Sequence, residues 1–470
     1  MLKSITVLAS GRTSVSALNF ARNILLARLV SVEDYGIAST FIVAIAFIEL
    51  MADLGMERMV VQDRDGESRH FIRTIQSMMV IRGFLLAALM FFLAYPIAEL
   101  FNHPELAWAY QLCGLFPIFH GFNNLDISRM QRSMSFGPLV KAELTGPSLS
   151  LIMLWPLSIW LGDYKIMLIA LLAEYSIRCV ATQVIAERRF SLGWDQKVFK
   201  RALSFGLPLL ASGILAFLSM QVDRVIVGNQ FSARDLGFFS AAATLAMTPC
   251  LIVAKIAQSF ILAMLSQAQD DQAKFDAQAS LALQTMLCIG GGAAVGFSLL
   301  GTFVFEIAFG VKMAEGAIYV IPIGVAFSIL MIQSGSLVPV SLARGLTINP
   351  FLGNIMRLLG LPIGFAVVAS GGTILELTMV MIAAEASAAT TGALLARYRA
   401  KTIAPVRTLP AYIIGLLLVF TIAYTTFHNL DDWWIIAAEV CLLIAMPLAC
   451  GDLRRFAIQQ AQLRLFQRKS

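Results

Sequence analysis

The chain has 470 residues, 58% hydrophobic and only 14% charged, with a formal net charge of +6; soluble domains run at roughly 45–50% apolar and about 25% charged. Membrane spans of about 20 residues each use nearly the whole length, which excludes a soluble catalytic or nucleic-acid-binding domain. The basic excess is therefore a topology signal and not nucleic-acid affinity.

Fourteen apolar stretches are predicted as transmembrane helices, over residues 5–28, 37–57, 75–95, 107–125, 139–160, 166–186, 204–228, 237–264, 280–301, 317–341, 351–369, 374–396, 410–427 and 433–450. The fold class is thus an all-α polytopic membrane protein. With coarse boundaries, the links on the side of both termini hold 25 of the 35 Lys and Arg residues, and the opposite links hold three, Lys165, Arg234 and Lys312. Basic residues in short loops stay cytoplasmic, so both termini are expected inside. Arg12 interrupts the first apolar run, which predicts a retained span and not a cleaved signal peptide.

Seven cations, Arg12, Arg22, Arg28, Arg82, Arg178, Arg224 and Lys255, fall within or at the ends of spans. A cation at mid-bilayer costs about 2.5–3.5 kcal/mol on the insertion scale, so some of these face protein or a watery cavity. Helix 1 is polar: at about 100° per residue, Arg12, Ser16, Asn19 and Asn23 share one face, with Arg22 at its edge. Arg12 and Arg22 are expected either to face a substrate cavity or to pair with Glu49 or Asp53 of helix 2, which are gating or coupling candidates. Arg28 is expected to snorkel to the interface. Glu174 and Arg178, four residues apart on helix 6, can neutralise each other.

In the second half, Lys255 on helix 8 is the cavity candidate. Asp223 and Arg224 end helix 7 as a local lock or an outer gate. Glu385 has no cation beside it on helix 12, which leaves a coupling role or packing as a neutral acid. No cofactor or metal is expected, because His70, His103, His120 and His428 lack ligand spacing and none of the six cysteines forms a CxxC pair. The paired acids Asp431 and Asp432 beside Trp433 and Trp434 resemble an interface belt.

Ser31-Val-Glu-Asp-Tyr-Gly-Ile-Ala-Ser39 recurs as Ser232-Ala-Arg-Asp-Leu-Gly-Phe-Phe-Ser240, keeping Ser, Asp, Gly and Ser. Each copy follows an apolar helix, so helix 1 corresponds to helix 7 and the halves are parallel six-helix repeats with a site expected between them. The expected domains are an N-terminal lobe over 1–186, a cytoplasmic linker over 187–203 and a C-terminal lobe over 204–396. Helices 13 and 14 follow over 397–450, with a tail over 451–470.

Several strings resemble a known family: Phe20-Ala-Arg-Asn-Ile-Leu-Leu-Ala-Arg-Leu29 with the Ser31 motif, Asp53-Leu-Gly-Met56, Val61-Gln62, Gln131-Arg132, Phe205-Gly-Leu-Pro-Leu209, Asp223-Arg-Val-Ile-Val-Gly228 and the polar run from Gln267 to Gln278. In order and spacing they are similar to polysaccharide transporters, the Wzx-type oligosaccharide flippases of the multidrug/oligosaccharidyl-lipid/polysaccharide exporter superfamily. The resemblance implies two six-helix lobes in a V that opens alternately to either side, in a bacterial inner membrane. It implies an undecaprenyl-diphosphate-linked oligosaccharide as cargo, membrane lipids as surroundings, and a polysaccharide polymerase and export machinery as further partners. Asn23 stands where the lipid II flippase has an acid, which argues against lipid II as cargo. A multidrug exporter of the same superfamily is the first alternative, and would favour carboxylate-lined cavities. A membrane polymerase or glycosyltransferase is the second, and would need a large external loop or cytosolic domain that this chain does not offer.

Overall fold

The computed structural model describes residues 2–52, 54–428, 433–456, 458 and 459, and every regular element among them is helical. The chain forms two compact units, Met1–Ala241 and Ala242–Ser470. In the first, the helices are α1 (Leu2–Leu29), α2 (Val32–Ala52), α3 (Met56–Gln62), α4 (Arg69–Leu100), α5 (Ala107–Cys113), α6 (Leu115–Gly121), α7 (Asp126–Arg132), α8 (Gly137–Trp160), α9 (Lys165–Ile185) and α10 (Gln196–Gln230). The first turns of α11 (Ala233–Ser266) also belong to it. Here α8 packs between α1 and α9, α4 packs on α5 and α6, and α10 lies along α2 and α4.

The second unit holds the rest of α11, then α12 (Gln272–Phe309), α13 (Val320–Ile332), α14 (Val338–Ala343), α15 (Ile348–Leu358), α16 (Gly360–Ala369), α17 (Ile374–Tyr398), α18 (Ala404–Arg407), α19 (Leu409–His428) and α20 (Trp433–Ala449). Its core joins α12, α13 and α17 through Leu283, Met286, Val325, Ile329 and Ile382, with α19 and α20 adding Leu418, Ile422 and Met446.

Among the described residues, each expected span falls on a helix or on consecutive helices, and eight of these helical stretches are apolar and long enough to cross a membrane by length and composition. The chain is a multi-pass membrane protein. Two boundaries differ from expectation. Half of the expected linker is helical, since α10 starts at Gln196, where Asp195 caps it by accepting from the N–H groups of Lys197 at 2.7 Å and Val198 at 3.3 Å. The segment between the expected spans 280–301 and 317–341 is also mostly helical: α12 runs to Phe309 and a 3-10 helix covers Val311–Tyr319.

The repeat makes the same cap twice. Ser31 Oγ donates to Asp34 Oδ2 at 2.6 Å and accepts from its N–H at 3.0 Å; Ser232 does the same with Asp235 at 2.6 and 3.2 Å. This reciprocal Ser–Asp box satisfies orphan donors at both helix starts. The two copies also touch each other, with Ser240 Oγ donating to Ser39 Oγ at 3.1 Å.

Asp126 fastens the end of α9 to α7. It is 1% exposed, takes Arg129 Nε at 2.5 Å, and accepts the N–H groups of Glu187 at 2.9 Å and Arg188 at 3.0 Å. Burial pushes its carboxyl upward, but Arg129 and the two backbone donors outweigh this and hold it below the usual carboxylate value. The stabilisation is therefore complete above the unfolded value of about 3.9 and is lost as pH falls through the lower folded value. Asp126→Asn is expected to weaken this junction by about 1.5–3 kcal/mol at neutral pH. Hydrogen exchange at residues 186–190 checks it: faster exchange in the variant, and an acid-induced rise in the wild type only below the usual carboxylate range.

Candidate functional site

The first unit contains an open cavity of about 500 Å³. Eight helices shape it. The C-terminal half of α2 contributes Ile48 and Glu49, α3 contributes Glu57 and Arg58, and α4 contributes Met79 and Arg82. Phe116, Pro117 and His120 come from α6, Leu139 and Glu143 from α8, Tyr175 and Arg178 from α9, Arg12 from α1 and Gln131 from α7. Four guanidinium groups and three carboxylates thus share one space, a net charge of +1 with His120 neutral (4 − 3).

The charges are arranged in contacts. Tyr175 Oη donates to the carboxylate of Glu49, which lines the cavity. Arg82 Nη2 lies 3.2 Å from His120 Nδ1, and His120 Nε2 lies 3.8 Å from Glu57 Oε1. Arg178 interacts electrostatically with Glu57, Glu143 and Glu49, and Glu143 also with Arg12. Guanidinium forks beside exposed carboxylates can exchange one anionic partner for another, so a phosphate group entering the space would find geometry that suits it.

Arg178 reaches the cavity because its expected partner is taken. Glu174, one turn earlier on α9, pairs with Arg22 Nη1 of α1, which also approaches Ser150 Oγ of α8 at 3.4 Å. Gly146 lets α9 come close: a Cβ there would lie 2.7 Å from the Glu174 carbonyl oxygen. Two expectations are thereby corrected. Glu174 and Arg178 do not neutralise each other, and Arg22, 7% exposed, is a buried ion-pair partner and does not line the cavity.

Of the polar stripe on α1, only Arg12 lines the cavity. Ser16 Oγ donates to the Arg12 carbonyl at 3.1 Å and Asn23 Nδ2 to the Asn19 carbonyl at 2.9 Å, so these side chains bond within their own helix. The reason is packing, since α1 lies against α8 along much of its length. Of the helix 2 acids, Glu49 is in the cavity and Asp53 lies outside the described residues. The acids Asp431 and Asp432 also lie outside them.

Asp223 and Arg224 are not among the lining residues; Arg224 is buried, donates to Gln221 Oε1 at 2.8 Å and interacts electrostatically with Tyr35 and Asp223. In the second unit, Lys255 is exposed on α11. Glu385 has a partner that its own helix does not show: Arg357 of α15 places Nε 2.6 Å from Oε1 and donates from Nη2 to Oε2 at 2.9 Å, while Gln333 Oε1 accepts from the same Nη2 at 3.0 Å. Arg357 falls inside the expected span 351–369 but is not among the seven cations singled out there; it is 8% exposed within α15.

Sequence reasoning missed Glu57, Glu143, His120 and Tyr175 and gave Arg82 and Arg58 no role. One signal was available: Glu143 is a carboxylate inside the expected span 139–160, as unusual there as the cations that were singled out.

A family of polysaccharide biosynthesis proteins has a model that matches residues 25–317. The chain is 21% identical over 318 residues to an uncharacterized membrane protein in the cps region of Klebsiella pneumoniae, covering 66% of this chain and 64% of that one. It is 20% identical over 307 residues to the lipopolysaccharide biosynthesis protein WzxC of Escherichia coli K12, covering 63% and 61%. It is 21% identical over 266 residues to the succinoglycan biosynthesis transport protein ExoT of Rhizobium meliloti, covering 56% and 53%. The chain thus spans between about half and two thirds of these relatives' lengths. In fold it is similar to the lipid II flippase MurJ in an inward closed conformation, with a TM-score of 0.71 and 17% identity over 96% of this chain and 99% of that one. It is also similar to an inward-facing MATE family multidrug resistance transporter of the MOP superfamily, with a TM-score of 0.64 and 15% identity over 84% and 98%. An all-helical membrane chain with this fold, matched by the family model over more than half its length, belongs to the polysaccharide biosynthesis protein family.

Proposed function

We propose that this protein is a flippase that carries a polyprenyl-diphosphate-linked oligosaccharide from the cytoplasmic to the outer leaflet by alternating access, for surface polysaccharide assembly. The observation that carries this is the cavity holding Arg12, Arg58, Arg82 and Arg178 in a chain of a polysaccharide biosynthesis family. Relatives named for succinoglycan transport and lipopolysaccharide biosynthesis support it. The partition of basic residues supports cytoplasmic termini in a bacterial inner membrane, with lobes over 1–186 and 204–396 and α19 and α20 appended. The cavity then opens toward Arg58 and Gln131, whose links are basic. The lipid is undecaprenol and the lipid tail stays in the bilayer. A diphosphate diester carries about two negative charges, each worth about 2.3 kcal/mol per 100 mV, so an inside-negative potential drives it outward.

Transport in proteoliposomes tests this, using a short-chain polyprenyl-diphosphate oligosaccharide whose appearance in the far leaflet is read with an impermeant lectin. Arg178→Ala is expected to slow it about ten- to hundredfold, the loss of one charge-assisted hydrogen bond of about 1.5–3 kcal/mol. Transport of amphipathic cations and not of the diphosphate would overturn the flippase reading in favour of a drug exporter.

A further inference from the structure

His120 stands between a cation and an anion, with Arg82 Nη2 3.2 Å from its Nδ1 and Glu57 Oε1 3.8 Å from its Nε2. A guanidinium has donors and no acceptor. Contact with Nδ1 therefore makes that nitrogen the bare acceptor and puts the ring's single hydrogen on Nε2, toward Glu57. In this arrangement the ring is neutral. A second proton would set N–H against N–H beside a full positive charge.

An anion in the cavity changes the balance. Arg82 is 9% exposed and lines the same space as the other three arginines, so phosphate oxygens placed there compete with Nδ1 for its fork. Once the fork turns to phosphate, Nδ1 regains an open lone pair. The anion and Glu57 then both favour the charged ring. The remaining charged and titratable groups facing this space are Arg12 from α1, Glu49 from α2, Arg58 from α3, Glu143 from α8, and Tyr175 and Arg178 from α9. Among these residue types the imidazole alone ordinarily titrates near neutrality, at about 6.5.

We propose that Arg82 and His120 form an anion-linked proton site: binding of a diphosphate diester in this cavity brings one proton from water onto His120 Nδ1. This rests on the cavity being the headgroup site. No covalent bond of the ligand breaks, and the proton enters through the open cavity, where the His120 side chain is 26% exposed. Linkage requires affinity to rise as pH falls, by up to about tenfold per pH unit for one proton.

The test uses the full chain in lipid nanodiscs and a short-chain alkyl diphosphate sugar, a diester whose phosphates carry no proton that titrates near neutrality. Calorimetry in two buffers of different ionisation enthalpy counts the protons taken up. The wild type is expected to take up close to one proton per bound probe and to bind more tightly toward acid. His120→Asn keeps an oxygen acceptor for Arg82 but has no site for a proton, and is expected to bind with no uptake and a flat pH profile. Arg82→Gln, which leaves the ring intact, is expected to lose the link between binding and uptake, and it serves where His120→Asn does not fold. Binding without uptake in the wild type, or uptake that persists in His120→Asn, overturns the proton site and leaves the headgroup site standing. Absence of saturable binding at every pH overturns both.

Discussion

Gly36→Ala is expected to lower surface-polysaccharide complementation at least tenfold while the protein remains in the membrane. A Cβ on Gly36 would lie 1.8 Å from the Ala233 carbonyl oxygen and 3.0 Å from the Gly237 nitrogen, and one on Gly237 would lie 2.4 Å from the Val32 carbonyl oxygen. These neighbours are backbone atoms at the starts of two helices, so no side-chain rotation relieves the clash. The first turns of α2 and α11 must move apart by more than an ångström. They are the two copies of the repeat, held together by the Ser240–Ser39 bond. Gly36 and the cavity residue Glu49 are at opposite ends of α2, about 20 Å apart at 1.5 Å per residue. Under the proposed alternating-access cycle, alanine disfavours the state in which this contact is made. The pair Ser39→Cys and Ser240→Cys provides the readout: disulfide formation is expected in the parent and severalfold less when Gly36→Ala is added. Full complementation together with undiminished cross-linking would show that the contact is dispensable.

Arg357→Ala is expected to destabilise the second unit by about 3–5 kcal/mol, because it strands the Glu385 carboxylate among buried neighbours. Removing both charges tells a different story. Arg357→Met with Glu385→Leu fills similar volume without leaving a charge unpaired, and such replacements run from neutral to about 1–4 kcal/mol stabilising. Denaturant unfolding of the purified protein separates the two cases. A wild-type midpoint in Arg357→Ala would mean that water solvates the acid and that the pair is not dry. The double variant also separates packing from coupling. Normal transport in a stable double variant assigns Glu385 a structural role; transport that no longer responds to an imposed proton or sodium gradient restores it as a coupling group.

The polytopic helical character of this protein was determined by hydropathy alone, since a backbone in lipid must satisfy its polar groups within helices or closed barrels. Local chemistry likewise determined the helix starts at Ser31 and Ser232, where a Ser–Asp box needs only residues three apart. Which intramembrane charges meet was decided by tertiary packing. Glu174 and Arg178 could pair on local grounds, but the close approach at Gly146 brings Glu174 to Arg22 and leaves Arg178 for the cavity. Glu385 looked solitary because its partner lies 28 residues away on another helix. The polar face of α1 looked like a cavity wall, yet of its residues only Arg12 lines the cavity of the first unit, while α8 covers part of that helix. A helix that is apolar nearly all round does not encode which way it is rotated about its axis. That rotation decides whether a buried charge meets a carboxylate, a neighbouring backbone or water, and it is set only when neighbouring helices pack together.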